Sequence, residues 1–309
     1  MSGVPVLVLG VTGMLGHKVF QRLRASVPGV VGQARGEAAR EPLAAIPLLA
    51  GNDVRGGVDA RDLEALGRLV DELRPAFVVN CVGIVKQRSE AKAAVPSITV
   101  NSLLPHWLAE RVEAWGGRLI HFSTDCVFDG RKGAYEESDP PNAEDLYGRT
   151  KALGEVDAPN ALTLRTSIIG RELRGRRSLV EWFLAQRGGR IRGYRRVIYS
   201  GLTTVERARR VARLIARETP LSGLYHVAAE PITKLDLLRI VDEAFGTGVE
   251  IEPEEETVLD RSLLGERFRA EAGWVEPGWT EMIEEMAADP TPYVEWQGIG
   301  AGGMAGRGE

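Results

Sequence analysis

In the run YGRTK, Tyr147 and Lys151 stand four positions apart, which on a helix puts both side chains on one face about a turn apart. A phenol with a pKa near ~10 is a poor acid-base group at neutral pH. An adjacent ammonium that stabilises the phenolate by ~3 units supplies ~4 kcal/mol, and the tyrosine can then donate or accept a proton. Taken alone, the pair occurs by chance in many helices. It gains meaning from HFSTDCVFDG, residues 121–130, where the hydroxyls of Ser123 and Thr124 leave an apolar run and can hold a carbonyl oxygen. Hydride delivered to a ketone builds negative charge on oxygen, and that transition state needs a positioned donor and a proton source. Thr124 and Tyr147 supply both.

Hydride chemistry calls for a dinucleotide, and GVTGMLG, residues 10–16, follows the first apolar run and opens a helical pattern. Gly10 permits the tight turn, Gly13 lets the backbone approach a diphosphate, and Gly16 lets helix and strand pack closely. The glycines are spaced three and three rather than as the commoner GxGxxG, so position in the chain carries the argument. At the end of the second strand, where an acid would bind the ribose of NAD, the run GQARGEAAR places Arg35, with Arg40 nearby. A guanidinium suits a 2′-phosphate, which favours NADPH and leaves NADH open. The competing reading makes Arg35 one of many solvated arginines.

The elements that would position these groups alternate along the chain. Strands are expected at 4–10, 29–35, 77–83 and 118–125, with helices at 14–25, 63–73 (stopped by Pro75) and 103–115. This pattern predicts a doubly wound parallel α/β sheet of the Rossmann kind, with ligands at the carboxyl ends of its strands. Beyond about residue 166, arginine-rich loops and helices near 179–186, 205–218 and 234–245 read as a smaller mixed α/β lid. The expected division is a dinucleotide-binding domain (1–168 with 202–228), a substrate domain (169–201 with 229–297) and a disordered glycine-rich tail (298–309).

Composition narrows the function classes. The 309 residues are 44% hydrophobic and 27% charged, with a net charge of -4, which argues against a nucleic-acid or membrane-surface protein. Val4 to Leu9 has no basic segment before it and ends at Gly10, so it reads as neither signal peptide nor anchor. A cytoplasmic protein is expected. Cys81 and Cys126 form no CxxC and the four histidines show no metal spacing, so no metal is expected. His121 and His226 lie in apolar strands and read as core residues, and His106 sits on a helix.

Together these motifs resemble the extended short-chain dehydrogenases/reductases that act on nucleotide-sugars, and within them the dTDP-4-dehydrorhamnose reductase group. GVTGMLG, NCVG (80–83), STDCVFDG, YGRTKALGE (147–155), LRTSIIG (164–170), SGLTT (200–204) and GLYHVA (223–228) match that family's pattern in order. The resemblance implies Thr124, Tyr147 and Lys151 as the catalytic trio, Tyr147 protonating the reduced C4 oxygen and Lys151 also bonding the nicotinamide ribose. It implies cofactor contacts from Gly10, Thr12, Gly13, Met14, Leu15 and Gly16, from Asp59 and Ala60 at the adenine, and from Cys81, Val82 and Gly83 at the nicotinamide. Thr166 would sit beside the carboxamide. Asn101 matches an asparagine near the cofactor, while helix N-capping explains it equally well.

The chain departs from the family pattern at Cys126, where the reductases carry an aromatic, and in the loop GIVKQRSEAKAAVPSITVN. These departures leave room for another sugar as substrate, and because related dehydratases have a glutamate at the position of Cys126, a dehydratase is disfavoured. Asp125, Cys126 and Lys86 are substrate candidates, with Gln87 and Arg88 beside Lys86. Arg192, with Arg171, Arg174, Arg176, Arg177 and Arg190, offers a cationic rim for the substrate diphosphate. The expected function is NADPH-dependent reduction of a 4-keto-6-deoxy nucleotide-sugar. Two alternatives stand beside it: a nucleotide-sugar epimerase with tightly held NAD, and a non-catalytic dinucleotide-binding regulatory subunit. A homodimer is the default for a soluble enzyme.

Overall fold

A computed structural model describes residues 5–36, 45–51, 53–85, 93–175, 178–217 and 220–298. Val6–Leu9, buried at every position as a run in the middle of a parallel sheet must be, forms β1. It is followed by α1 (Gly16–Arg24), β2 (Val31–Gln33), β3 (Val54–Arg55), α2 (Leu63–Leu73) and β4 (Phe77–Asn80). Next come α3 (Ala94–Ile98), a π-helical turn over Thr99–Leu103, α4 (Leu104–Glu113), β5 (Arg118–Ser123), α5 (Leu146–Leu153) and β6 (Ala161–Arg165). The remainder holds β7 (Ile168–Ile169), α6 (Leu179–Leu184), β8 (Arg190–Tyr194), β9 (Val197–Tyr199), β10 (Leu202–Thr203), α7 (Thr204–Ala216) and β11 (Gly223–His226). It closes with β12 (Ile232–Thr233), α8 (Lys234–Phe245), β13 (Glu250–Glu254), β14 (Leu259–Asp260), α9 (Glu266–Ala272), α10 (Trp279–Ala287) and α11 (Tyr293–Gly298).

Seven strands form one sheet in the order β11-β6-β5-β4-β1-β2-β3, with every neighbouring pair parallel. The winding reverses between β1 and β4, which opens a crevice at their carboxyl ends. One apolar layer, including Leu7, Leu66, Val70, Leu104 and Leu108, packs α2 and α4 on one face. The other, including Val6, Val19, Phe20, Val211 and Ile215, packs α1 and α7 on the opposite face.

Two helices keep the bounds that sequence signals give them. Asp62 accepts the Ala65 N–H at the start of α2, and Arg74 turns left-handed (φ 41°) just before Pro75. Thr233 caps α8 through the Asp236 N–H, and Gly246 ends it with φ 56°. The strands are shorter than expected. The run 77–83 stops at Asn80, whose Oδ1 accepts the Val82 N–H at 3.1 Å and so turns the chain out of the ladder. β3 is a two-residue edge strand, too short to carry a periodic signal.

The stretch expected as a lid of loops and helices also contains small sheets. β7 pairs with β10, β8 with β13, and β9 lies between antiparallel β12 and parallel β14. Of the expected tail, Gly298 ends α11 and residues 299–309 lie outside the described residues. Among the described residues no helix is long and apolar enough to cross a membrane.

Three histidines are fully buried: His17, His121 and His226. Burial holds His17 at about 4 and His226 at about 3, and His121 also well below its ordinary value. Each therefore folds as the neutral ring. As pH falls below the unfolded value of ~6.5 the unfolded chain takes up protons first, so stability is intact above it and is lost toward the folded values. Between about pH 7.5 and about pH 5 each ring is expected to remove about 2 kcal/mol. Urea midpoints at the two pH values check this, and equal midpoints would sink it.

Candidate active site

Gly10 leaves β1 with φ 78°, and a Cβ on Gly16 would lie 2.1 Å from the Gly10 carbonyl oxygen, so α1 can start this close to β1 only with glycine there. The turn is held from the side by a residue that spacing did not single out. Gln33, buried at the end of β2, accepts the Gly10 N–H through Oε1 at 3.0 Å and donates from Nε2 to the Val58 carbonyl. The only available signal was a polar residue closing an apolar strand.

Gly10, Thr12, Gly13 and Gln33 line a cleft together with Arg35, Asp59, Ala60, Arg61, Cys81, Val82, Gly83, Ile84 and Val100. Backbone N–H groups at the start of α1 and two guanidinium groups suit a dinucleotide phosphate, and the glycines leave its path open. Arg61 is a second arginine at the expected adenosine end, and it was not anticipated. It makes a forked ion pair with Asp59 at 2.5 to 3.0 Å, which holds that carboxyl below its usual range, with Arg35 adding to the effect. Met14, Leu15 and Gly16 stand behind the cleft at the start of α1 rather than lining it.

Outside this lining, Thr124 follows β5 in extended conformation and caps a short 3-10 turn, Asp125–Val127, by accepting the Cys126 N–H at 3.1 Å. Asp145 caps α5 by accepting the Gly148 N–H, which fixes the helix that carries Tyr147 and Lys151. A Cβ on Gly148 would lie 2.3 Å from the Cys126 carbonyl oxygen, so this glycine lets α5 press against the 3-10 turn. The Thr124 hydroxyl thereby faces the Tyr147 phenol. Lys151 is buried, and its Nζ donates to the Phe122 carbonyl at 2.7 Å. The predicted trio converges at the carboxyl end of β5.

The electrostatics differ from the expectation. Burial, assisted by Cys126, pushes the Tyr147 phenol up rather than down. Burial also pulls Lys151 down to about 8 against the opposing pull of Glu155. Desolvation outweighs the pairing because the Lys151 ammonium is turned onto the β5 backbone. Both thiols stay protonated, since burial pushes Cys81 up and Cys126 up to about 12.

Asn101 is neither a helix cap nor a cleft residue. Within the π-helical turn its Oδ1 accepts the Ile84 N–H at 2.9 Å, while its Nδ2 donates to the Ile84 carbonyl and to Thr150 Oγ1. It ties the loop after β4 to α5, and the neighbouring Val100 faces the cleft instead. Thr166 is buried, donates to the Ser167 carbonyl and receives Arg207 Nη2, so its hydroxyl is engaged away from the cleft lining. Arg192 is exposed on β8 in register with Glu252 and has no hydrogen bond to the Thr124–Tyr147 cluster. Two arginines of the expected cationic rim are neutralised: Arg171 pairs with buried Glu181 at 2.6 Å, and Arg190 pairs with Glu250 and Glu252. Lys86, Gln87, Arg88, Arg40, Arg176 and Arg177 lie outside the described residues. Arg261, not anticipated, reaches the turn after Thr124, with Nε on the Phe128 carbonyl at 2.8 Å and Nη1 3.8 Å from Cys126 Sγ. Among the described residues no group of three or more His, Cys, Asp or Glu could hold a metal ion.

Residues 4–289 match the family described as RmlD substrate binding domain. A dTDP-4-dehydrorhamnose reductase of Burkholderia thailandensis is 33% identical over 167 residues, 52% of this chain and 49% of that protein. Methionine adenosyltransferase 2 subunit beta of Danio rerio is 32% identical over 173 residues, 53% of this chain and 47% of that one. The match thus spans about half the length of each relative. The fold is shared with the crystal structure of dTDP-4-dehydrorhamnose reductase from Bacillus anthracis in complex with NADP. That match has a TM-score of 0.75 at 18% identity and covers 93% of this chain and 100% of the other.

Proposed function

Because the chain belongs to the RmlD substrate binding domain family, we propose that it is an NADPH-dependent reductase of a 4-keto-6-deoxy nucleotide-sugar. The observation that carries the reading is the convergence of Thr124, Tyr147 and Lys151 at the end of β5, the strand paired with β4, after whose end Cys81, Val82 and Gly83 line a cleft together with Gly10, Thr12 and Gly13. NADPH, when bound, supplies the hydride. Its diphosphate would lie over Thr12 and Gly13, with the nicotinamide end toward Cys81, Val82 and Gly83. Residues 169–201 and 229–297 would carry the sugar nucleotide, and the protein would work in the cytoplasm, with a homodimer as the default assembly.

Thr124 Oγ1 would hold the C4 oxygen as negative charge builds there. Tyr147, kept protonated by burial, would give its proton to that oxygen. Lys151 would stabilise the phenolate left behind and orient the ribose. Asp125, Cys126 and Arg261 would meet the sugar, and the small Cys126 side chain leaves room for a sugar of a different shape from rhamnose. The relative that is a subunit of methionine adenosyltransferase supports a second reading, in which the chain binds dinucleotide and regulates a partner. The intact trio favours the enzyme.

The test is loss of NADPH or NADH absorbance with 4-keto-6-deoxy sugars made in situ on dTDP, UDP and GDP. Consumption of one reduced cofactor per sugar is the expected result. Turnover without added cofactor, with NAD held in the purified protein, would replace the proposal with an epimerase. Specificity for the 2′-phosphate is assigned to Arg35, so Arg35→Ala should weaken NADPH binding about tenfold, ~1.4 kcal/mol, and leave NADH unchanged. Titration calorimetry with both cofactors reads this directly, and an equal loss for the two would remove the assignment.

A further inference from the structure

Behind Lys151 lies a row of buried nitrogens that the reaction does not explain. Lys151 Nζ is 3.3 Å from His121 Nε2, and on the far side of the ring His121 Nδ1 is 3.2 Å from Asn80 Nδ2. Asn80 and His121 are direct partners in the β4–β5 ladder, and both are buried. Asn80 Oδ1 accepts the Val82 N–H at 3.1 Å.

The protons in this row can be counted. A backbone N–H only donates, so the Asn80 oxygen must face Val82 and its amide NH₂ must face the ring. Nδ1 of His121 therefore accepts. A neutral imidazole has one N–H, which is then on Nε2 and aimed at Lys151. An ammonium has no lone pair to receive it, whereas an uncharged amine has one. The opposite tautomer would need the Asn80 amide reversed, with its NH₂ set against the Val82 N–H. An imidazolium is excluded by burial, which holds His121 far below its ordinary value.

Few other charges bear on the pair. β4, α3 and the π-helical turn carry no titratable side chain. His106 on α4 bears on His121 and is itself bonded to the Leu153 carbonyl at 2.8 Å. On and after α5, Tyr147 is a protonated phenol and Glu155 is engaged by Arg165 and Ser123. Asp125 is bonded by the Thr124 hydroxyl, and the Cys126 thiol is protonated.

We propose that Asn80 and His121 are positioning residues for Lys151, together holding its side chain against β5 and favouring the uncharged form of its amine in the cofactor-free protein. The inference rests on Lys151 being functional only for its consequence, not for its geometry. The ammonium is favoured again when the cleft offers Lys151 a partner other than the ring.

The experiment is NMR of the cofactor-free, full-length protein, with no turnover required. Imidazole nitrogen shifts of His121 should show Nε2 protonated and Nδ1 bare. Carbon-13 at the lysine ε position should show Lys151 titrating near 8. In His121→Phe, where the opposing N–H is gone, that titration should move up by about one unit. A ring protonated on Nδ1, or a Lys151 titration that stays in place or falls in the variant, overturns the proposal. The wild-type tautomer decides the matter even if the variant fails to fold. Should both readouts come out as expected while no sugar is reduced, the reaction assignment fails alone.

Discussion

Tyr147→Phe is expected to lower turnover of NADPH with its sugar substrate about 10³-fold, within the range for removal of a general acid. That corresponds to ~4 kcal/mol of transition-state stabilisation. Cofactor affinity should change by less than about twofold, because the cleft lining that would meet NADPH does not include this phenol. The fold should persist, since the ring remains and Thr124, which faces the phenol, keeps its own bonds to the Cys126 N–H and Asp125. The pH profile adds a signature. Burial holds Tyr147 protonated through the neutral range, so a fall in kcat/KM above about pH 8 belongs to Lys151, whose charge is lost there. A variant that keeps full turnover would end the assignment of Tyr147. A variant that also loses NADPH binding would mean that the ring positions the cleft rather than the proton.

The spacing of Tyr147 and Lys151 placed both on α5, and the strand end before Thr124 was legible because a polar run follows an apolar one. What spacing could not convey was burial. The same separation that brings an ammonium beside a phenol in water puts both into an apolar interior here, and desolvation reverses the direction in which the phenol moves. Asn101 fell between two readings because the π-helical turn gives it neither a cap's geometry nor an outward face. Gln33, Arg61 and Arg261 escaped notice, and His121 read only as a core residue, for a common reason. Each acts through a partner from another element, Gly10, Asp59, Cys126 and Lys151 respectively, and pairing across elements leaves no pattern along one chain.

The same holds for the charged cluster under the site, which yields the second large effect. Arg165 ends β6 fully buried and grips Glu155 with two parallel bonds, Nε to Oε1 at 2.8 Å and Nη2 to Oε2 at 2.6 Å. Oε1 also accepts the Ser123 hydroxyl at 2.6 Å, one residue before Thr124. The third arm, Nη1, donates at 2.8 Å to His226 Nε2, which can accept because Nδ1–H is directed at the Tyr135 carbonyl. The guanidinium lies 4.9 Å over the Phe128 ring, which stacks on Tyr135. The ends of β5, β6 and β11 and the segment after Thr124 are therefore held by one cation.

Arg165→Met leaves the Glu155 carboxylate buried with Ser123 as its remaining partner, and breaking a buried pair in this way costs about 3 to 5 kcal/mol. For a chain of this size the melting temperature should fall on the order of 10 °C. Replacing both partners, Arg165→Met with Glu155→Leu, should recover most of the loss, because the charge that made the single variant costly is gone. The histidine supplies an independent check. With Arg165 removed, His226 loses the second-largest influence holding it at about 3, so its value rises and its share of the acid destabilisation shrinks. A single variant within about 1 kcal/mol of the wild type would show that water reaches Glu155. The cluster would then be surface decoration on the strand ends, and Thr124 would have to be held in place by its 3-10 turn alone.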